Sequence, residues 1–194
     1  MGELEREKLR QMLWEQAAFG GLEIITYCLL SNHFHVLVRV PGELVATDAQ
    51  LVGRALDFYG PRSPYVQSLQ QALAVGGSLP EDLRAGLVGR MGDVSGFMKE
   101  LKQRFSKWYN RQHNRFGTLW AERFKSVLVE DEPGAVRAVA AYVDLNAVRA
   151  GLVSDPQEYR WCGYAEAVAG KAKARSGLAS FHRGEGWEEV GREY

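Results

Sequence analysis

The run from Leu22 to Val40 constrains this chain more than any other. Leu22 to Leu30 is rich in Ile, Tyr, Thr and Leu, and His33 to Val40 alternates well enough to form a second strand. Ser31-Asn32 separates the two as a two-residue turn, and Pro41-Gly42 stops the second run. An antiparallel hairpin is expected, and the rest of the chain must pack around it. Side chains on a strand alternate faces, so His33 and His35 leave one side. Phe34, Val36, Val38 and Val40 point the other way, toward a core. Two imidazoles about 7 Å apart along a strand can converge on one metal ion. They can equally be two polar residues on a solvated sheet face, and His-x-His alone does not decide between these.

The remaining elements follow from periodicity and punctuation. Residues 3 to 17 read as a helix with Leu4, Leu9, Met12, Leu13 and Ala17 as its apolar stripe, stopped by Gly20-Gly21. Residues 44 to 90 read as short helices broken at Gly60-Pro61, Ser63-Pro64, Gly76-Gly77 and Pro80, an insertion or helical lobe. Val94 to Asn114 is a longer helix burying Phe97, Met98, Leu101, Phe105 and Trp108, and Phe124 to Val129 reads as a third strand. Asp131 is the expected N-cap of a helix that carries Glu132 and Pro133 in its first turn and stops at Gly151. This composes an α+β fold, a domain over residues 1 to 165 with a helical insertion, followed by a C-terminal tail from 166 to 194. The order helix, strand, strand, helix, strand, helix matches a ferredoxin-like antiparallel sheet without its first strand. Helices are expected on one face and the histidines on the other.

Charge is unevenly placed. The chain is neutral overall, yet Lys99, Lys102, Arg104, Lys107, Arg111, Arg115, Arg123 and Lys125 face only Glu100 and Glu122 over one window, a local balance of +6. Such a window can grip a phosphate backbone even in a neutral protein. Trp108, Tyr109 and Trp120 lie among these charges and could stack unpaired bases; Trp108 falls on the apolar side of its helix, which favours a core role. No apolar run approaches the roughly 20 residues of a membrane span, and the charged stretch Met1–Arg10 does not resemble a secretory signal. Cys28 and Cys162 lack metal-type spacing, so a reducing cytoplasm is the simpler expectation. His113 and His182 need no role beyond a helix end and a tail.

Tyr142, Asn146 and Arg149 share one stripe of the helix after Pro133, four and seven residues apart. A phenol, an amide and a guanidinium aligned this way suit an occupied surface, although a tyrosine at a helix edge with its hydroxyl in water is the plainer account. Val136, Val139, Ala140 and Val143 supply packing on adjoining faces.

The histidine strand and this helix together resemble the HUH single-tyrosine transposases, and most closely the REP-associated tyrosine transposases. The likeness rests on His33-Phe34-His35 followed by Tyr142-Val143-Asp144-Leu145-Asn146-Ala147-Val148-Arg149-Ala150-Gly151. It extends to Gly117-Thr118-Leu119-Trp120-Ala121-Glu122-Arg123-Phe124-Lys125-Ser126 and to Tyr159-Arg160-Trp161-Cys162-Gly163-Tyr164, covering about residues 8 to 165 apart from the block from 44 to 90. The sequence departs from that pattern in three places. Met1 leads almost directly into the first helix where such proteins place a strand, Asp144 stands where they often have His, and Ala147 where they often have Pro.

The resemblance implies a metal-dependent endonuclease and strand transferase on single-stranded or hairpin DNA, with Tyr142 as nucleophile and His33, His35 and Asn146 as ligands to Mg or Mn. Two imidazoles alone would suggest Zn, Mn, Fe or Ni. Lys99, Lys102, Lys107, Arg111, Arg115, Trp120, Arg123, Lys125 and Arg149 are the expected DNA contacts. The implied protein is bacterial and cytoplasmic, nucleoid-associated when bound to DNA, and monomeric or homodimeric. Two alternatives stay open: a non-catalytic DNA- or RNA-hairpin-binding protein of the same descent, and a zinc-dependent hydrolase, for which no Glu or Asp near the histidines is positioned as base.

Overall fold

A computed structural model describes residues 1–42, 45–181 and 186–194, and of the last helix all side chains but those of residues 192 and 193. Leu44, where the predicted helical block begins, and His182 lie outside the described residues. The fold is α+β, mostly helical, with one antiparallel two-stranded sheet. It divides into two compact units, one of residues 1–10, 23–39 and 122–194, the other of residues 11–22 and 40–121. Helix α1 (Glu3–Gly20) contributes its start to the first and its remainder to the second.

In the second unit the predicted breaks end the helices. α2 (Asp48–Tyr59) stops at Gly60, α3 (Pro64–Gly76) at Gly77, and α4 (Glu81–Val88) follows Pro80. Thr47 and Gln50 form a capping box at the start of α2, satisfying amides that the first turn leaves without helical partners. Phe19, Leu51, Val52, Ala55, Val66, Leu69 and Leu87 make the core. α5 (Val94–Gln112) is capped by Asp93 and buries Phe97, Met98, Leu101 and Phe105, while Trp108 is half-buried.

The first unit is built on β1 (Glu23–Leu29) and β2 (Phe34–Arg39), with Leu30 N–H donating to the His33 carbonyl across the turn at 2.9 Å. Cys28 pairs with His35, Tyr27 with Val36 and Thr26 with Leu37, and a bulge at Ile25 shifts the register before Ile24 meets Val38. Every residue of β1 but Glu23 is buried, so both its faces are covered. α6 (Pro133–Asp144), α8 (Gly163–Val168) and α9 (Ala172–Ala179) pack on it. Two glycines allow this closeness. A Cβ at Gly163 would sit 2.2 Å from Thr26 Oγ1, and one at Gly177 2.3 Å from the Ile24 carbonyl oxygen. α10 (Trp187–Glu193) closes the chain. Among the described residues after 166, Leu178, Phe181 and Val190 are buried.

Three expectations are corrected. Phe124 to Val129 forms no strand: Val127 and Leu128 are 87% and 99% exposed, and among the described residues no backbone partner takes up its amides and carbonyls. β-prone residues make a strand only beside another strand, and β1 is bonded to β2 on one edge and bridged to Cys162 on the other. Phe34, Val36 and Val38 are half-buried and Val40 is exposed, so that face of β2 is not a closed core. The N-cap of α6 is Glu132, whose carboxylate accepts from Ala135 N–H at 3.0 Å, and not Asp131, which pairs with Arg39 at 3.0 Å.

Candidate active site

α6 and the hairpin bring His33, His35 and Tyr142 together in the first unit, with Arg149 over the Tyr142 ring. Cross-strand partners project to the same side, so His35 shares a face with Cys28, and Thr26 with Leu37. That side meets α6, since Thr26 Oγ1–H donates to Asp144. His35 therefore faces the helix, not the helix-free side assigned to it from the sequence. Its ring lies edge-on to Tyr142 with centroids 6.1 Å apart, and edge-on to His33 at 5.1 Å. The Arg149 guanidinium stacks over the Tyr142 ring at 4.7 Å, while Tyr142 remains 48% exposed.

The helix is locally interrupted just after Tyr142. α6 ends at Asp144, and after Leu145 a short α7 (Asn146–Arg149) continues to Gly151, whose φ of 68° ends it. Asn146 Nδ2–H donates to the Tyr142 carbonyl at 2.7 Å and to the Val143 carbonyl at 3.3 Å. A side-chain amide on these carbonyls competes with the helical ladder and breaks it there. Asn146 is buried, and Oδ1 is its remaining donor atom for a metal.

Two imidazoles and one side-chain amide oxygen are donor types that divalent ions accept. His33 Nδ1 pairs with Asn32 Oδ1 at 2.8 Å, an outer contact that orients the ring and leaves Nε2 as its ligand atom. Burial, then His33 and Arg149, lower the His35 pKa below its ordinary value, favouring the neutral imidazole that ligates metals. Among the described residues no three His, Cys, Asp or Glu side chains cluster as metal ligands, so any ion here depends on the two histidines and the amide.

In the sequence Asp144 stands out only as a departure from the resembling pattern. In the structure it is 1% exposed and accepts hydrogen bonds from Thr26, Tyr164 and Tyr194. Thr26 Oγ1–H reaches both oxygens at 2.8 and 2.9 Å, Tyr164 N–H one at 3.1 Å, and Tyr194 Oη–H the other at 2.7 Å. A signal for it exists: Asp144 continues the buried Val136–Ala140 stripe at helical spacing, an acid where an apolar residue is expected. Burial outweighs these hydrogen bonds and pushes its pKa up to about 6. Tyr159 and Trp161 of the late motif are also buried, with Tyr159 Oη–H donating to the Leu29 carbonyl at 2.7 Å. Tyr159 and Trp161 support β1 and do not enter the site.

The expected DNA contacts fall in both units. On α5, Lys99, Lys107 and Arg111 lie at four-residue multiples on an exposed, slowly turning stripe. Lys102 is half-buried with Nζ over the Trp120 ring at 5.3 Å, and Arg115 stacks on Tyr109 at 5.9 Å. Trp120 packs beside Phe105 at 5.8 Å and donates Nε1–H to the Lys102 carbonyl at 3.1 Å, so it is partly committed to α5. In the first unit Arg123 and Lys125 are exposed, and Lys125 pairs with Glu122 at 3.3 Å. No strand forms there to set Arg123 and Lys125 on one face.

Compared with known proteins, the chain matches no family model, no curated protein and no solved structure.

Proposed function

We propose that this chain is a metal-dependent single-stranded DNA endonuclease and strand transferase of the transposase type, on a ferredoxin-like variant of the α+β fold. It acts on hairpin DNA through a 5′-phosphotyrosine at Tyr142. The observation that carries the reading is a half-exposed phenol held edge-on to His35 and beneath Arg149. Tyr142 Oη attacks the phosphorus, and the new O–P bond forms as the P–O3′ bond breaks. The phenolic proton passes to solvent, and the departing 3′ oxygen takes up a proton to become a free hydroxyl. One phosphoester replaces another, so a second 3′ hydroxyl can reverse the step and join strands. Arg149 places positive charge where the phosphate approaches. His33, His35 and Asn146 Oδ1 would hold a Mg or Mn ion, which polarises a nonbridging phosphate oxygen when bound. The exposed stripe on α5 offers phosphate contacts for single-stranded DNA.

A second reading has its own observation. Asn146 is buried and bonded to two backbone carbonyls, as suits a residue kept for structure in a non-catalytic hairpin-binding protein. Incubation with labelled single-stranded hairpin oligonucleotides and Mn, followed by denaturing electrophoresis, separates the two. The enzyme gives a covalent protein–DNA band that Tyr142→Phe abolishes while binding stays within roughly threefold, since only the phenolic oxygen is removed. Binding with no covalent band in the parent protein supports the non-catalytic reading.

A further inference from the structure

We infer that Asp144 is a positioning residue for the Tyr142 nucleophile, tying the end of the catalytic helix to β1 beneath the histidine pair. The inference rests on the functional reading above and assigns a task to a residue outside the proposed chemistry. Asp144 lies two residues after Tyr142, on the buried side of α6. Its carboxylate gathers three elements: Thr26 from β1, Tyr164 from the start of α8, and Tyr194 from the end of the chain. Thr26 stands two residues before Cys28, the register partner of His35. One carboxylate thus connects the helix that carries the phenol to the strand paired with the histidine strand.

The anchor is needed because the helix is weak at this point. The α-helix breaks at Leu145, directly after Asp144, where the Asn146 amide takes the Tyr142 and Val143 carbonyls. A helix end that has given up part of its ladder frays unless a side chain fixes it. Tyr142 sits within that last turn, and His35 and Arg149 touch only its ring. The Asp144 hydrogen bonds therefore hold the backbone from which the phenol is aimed, and Gly163 is the residue that lets α8 approach Thr26 closely enough to share the carboxylate.

The test compares Asp144→Ala, Asp144→Asn and Thr26→Val with the parent in two measurements. The first is single-turnover covalent attachment at saturating hairpin oligonucleotide with Mn, normalised to folded protein. A reacting group displaced by about 1 Å can lose up to ~100-fold in rate, so Asp144→Ala should slow attachment by at least roughly tenfold. Oligonucleotide affinity should stay within about threefold, because Asp144 is buried away from DNA. Asp144→Asn keeps the shape and one acceptor oxygen, and should restore most of the rate. Thr26→Val should fall between the two. The second measurement is the nuclear Overhauser effect between the Tyr142 and His35 rings in Mg-containing buffer, assigned with Tyr142→Phe. It should vanish in Asp144→Ala while methyl dispersion stays native. An Asp144→Ala protein with unchanged rate per folded molecule and an intact ring-to-ring signal overturns the inference, whatever its melting temperature. A parent that forms no adduct refutes the enzymatic reading instead, and the ring-to-ring signal then decides by itself whether Asp144 positions Tyr142.

Discussion

Asp144 is a carboxylate enclosed by Thr26, Tyr164, Tyr194 and the thiol of Cys162, and its pKa of about 6 lies above the ordinary carboxylate value of 3.8 because burial outweighs the hydrogen bonds. Between those values the native state holds a proton that the unfolded chain has released. Asp144 therefore contributes most to stability at low pH, and that contribution falls as pH rises through 6. The separation corresponds to roughly 3 kcal/mol. Cys28, Cys162, Tyr164 and Tyr194 surround it, and all are shifted upward, so none titrates in this window. In chelator-containing buffer, the unfolding free energy of the parent minus that of Asp144→Asn should decrease between about pH 4 and 6.5. A difference that is flat over that range contradicts the assigned burial. His33, His35, Tyr142 and Arg149 pose a separate question at this scale. Residue spacing places each pair on a common face, but only the folded chain sets the two pairs against each other.

At the scale of elements, punctuation is the most legible part of the sequence. Gly60, Gly77 and Pro80 set helix ends where expected, and Ser31-Asn32 turns the hairpin. Phe124 to Val129 reads as a strand and is not one, because strand formation needs a neighbour that no property of the run itself reveals. The break at Leu145 is hidden for a related reason, since it depends on where the Asn146 amide points. The coverage of β1 by α8 and α9 is equally illegible, because Gly163 and Gly177 look like loop glycines until a strand lies against them. Their substitution gives a direct check. Gly177→Ala places a methyl against the Ile24 carbonyl and should destabilise by ~1–3 kcal/mol. Gly53→Ala, inside α2 with nothing within 4 Å, should instead stabilise by up to about 1 kcal/mol through helix propensity. Denaturant midpoints measure both, and equal shifts of one sign would contradict the packing described for α9.

Across the whole molecule, the candidate chemistry is confined to the first unit and the clearest basic stripe to the second. No described helix is long and apolar enough to cross a membrane. Replacing Lys99, Lys107 and Arg111 together by Gln should weaken single-strand binding and reduce its salt slope by roughly 0.7 for each phosphate that is no longer neutralised. An unchanged slope, measured by titration at several salt concentrations, would make this stripe a solvated helix face. The central claim is that Tyr142 breaks a phosphodiester and keeps the 5′ phosphate. Hairpin oligonucleotides labelled on either side of the cleavage point test it most directly, with the attached peptide located by mass spectrometry. The account predicts that the 3′-side fragment alone stays with the protein, joined through its 5′ phosphate to the peptide containing Tyr142. Attachment of the 5′-side fragment, attachment at another tyrosine such as Tyr109, or no attachment with Mn present would contradict it.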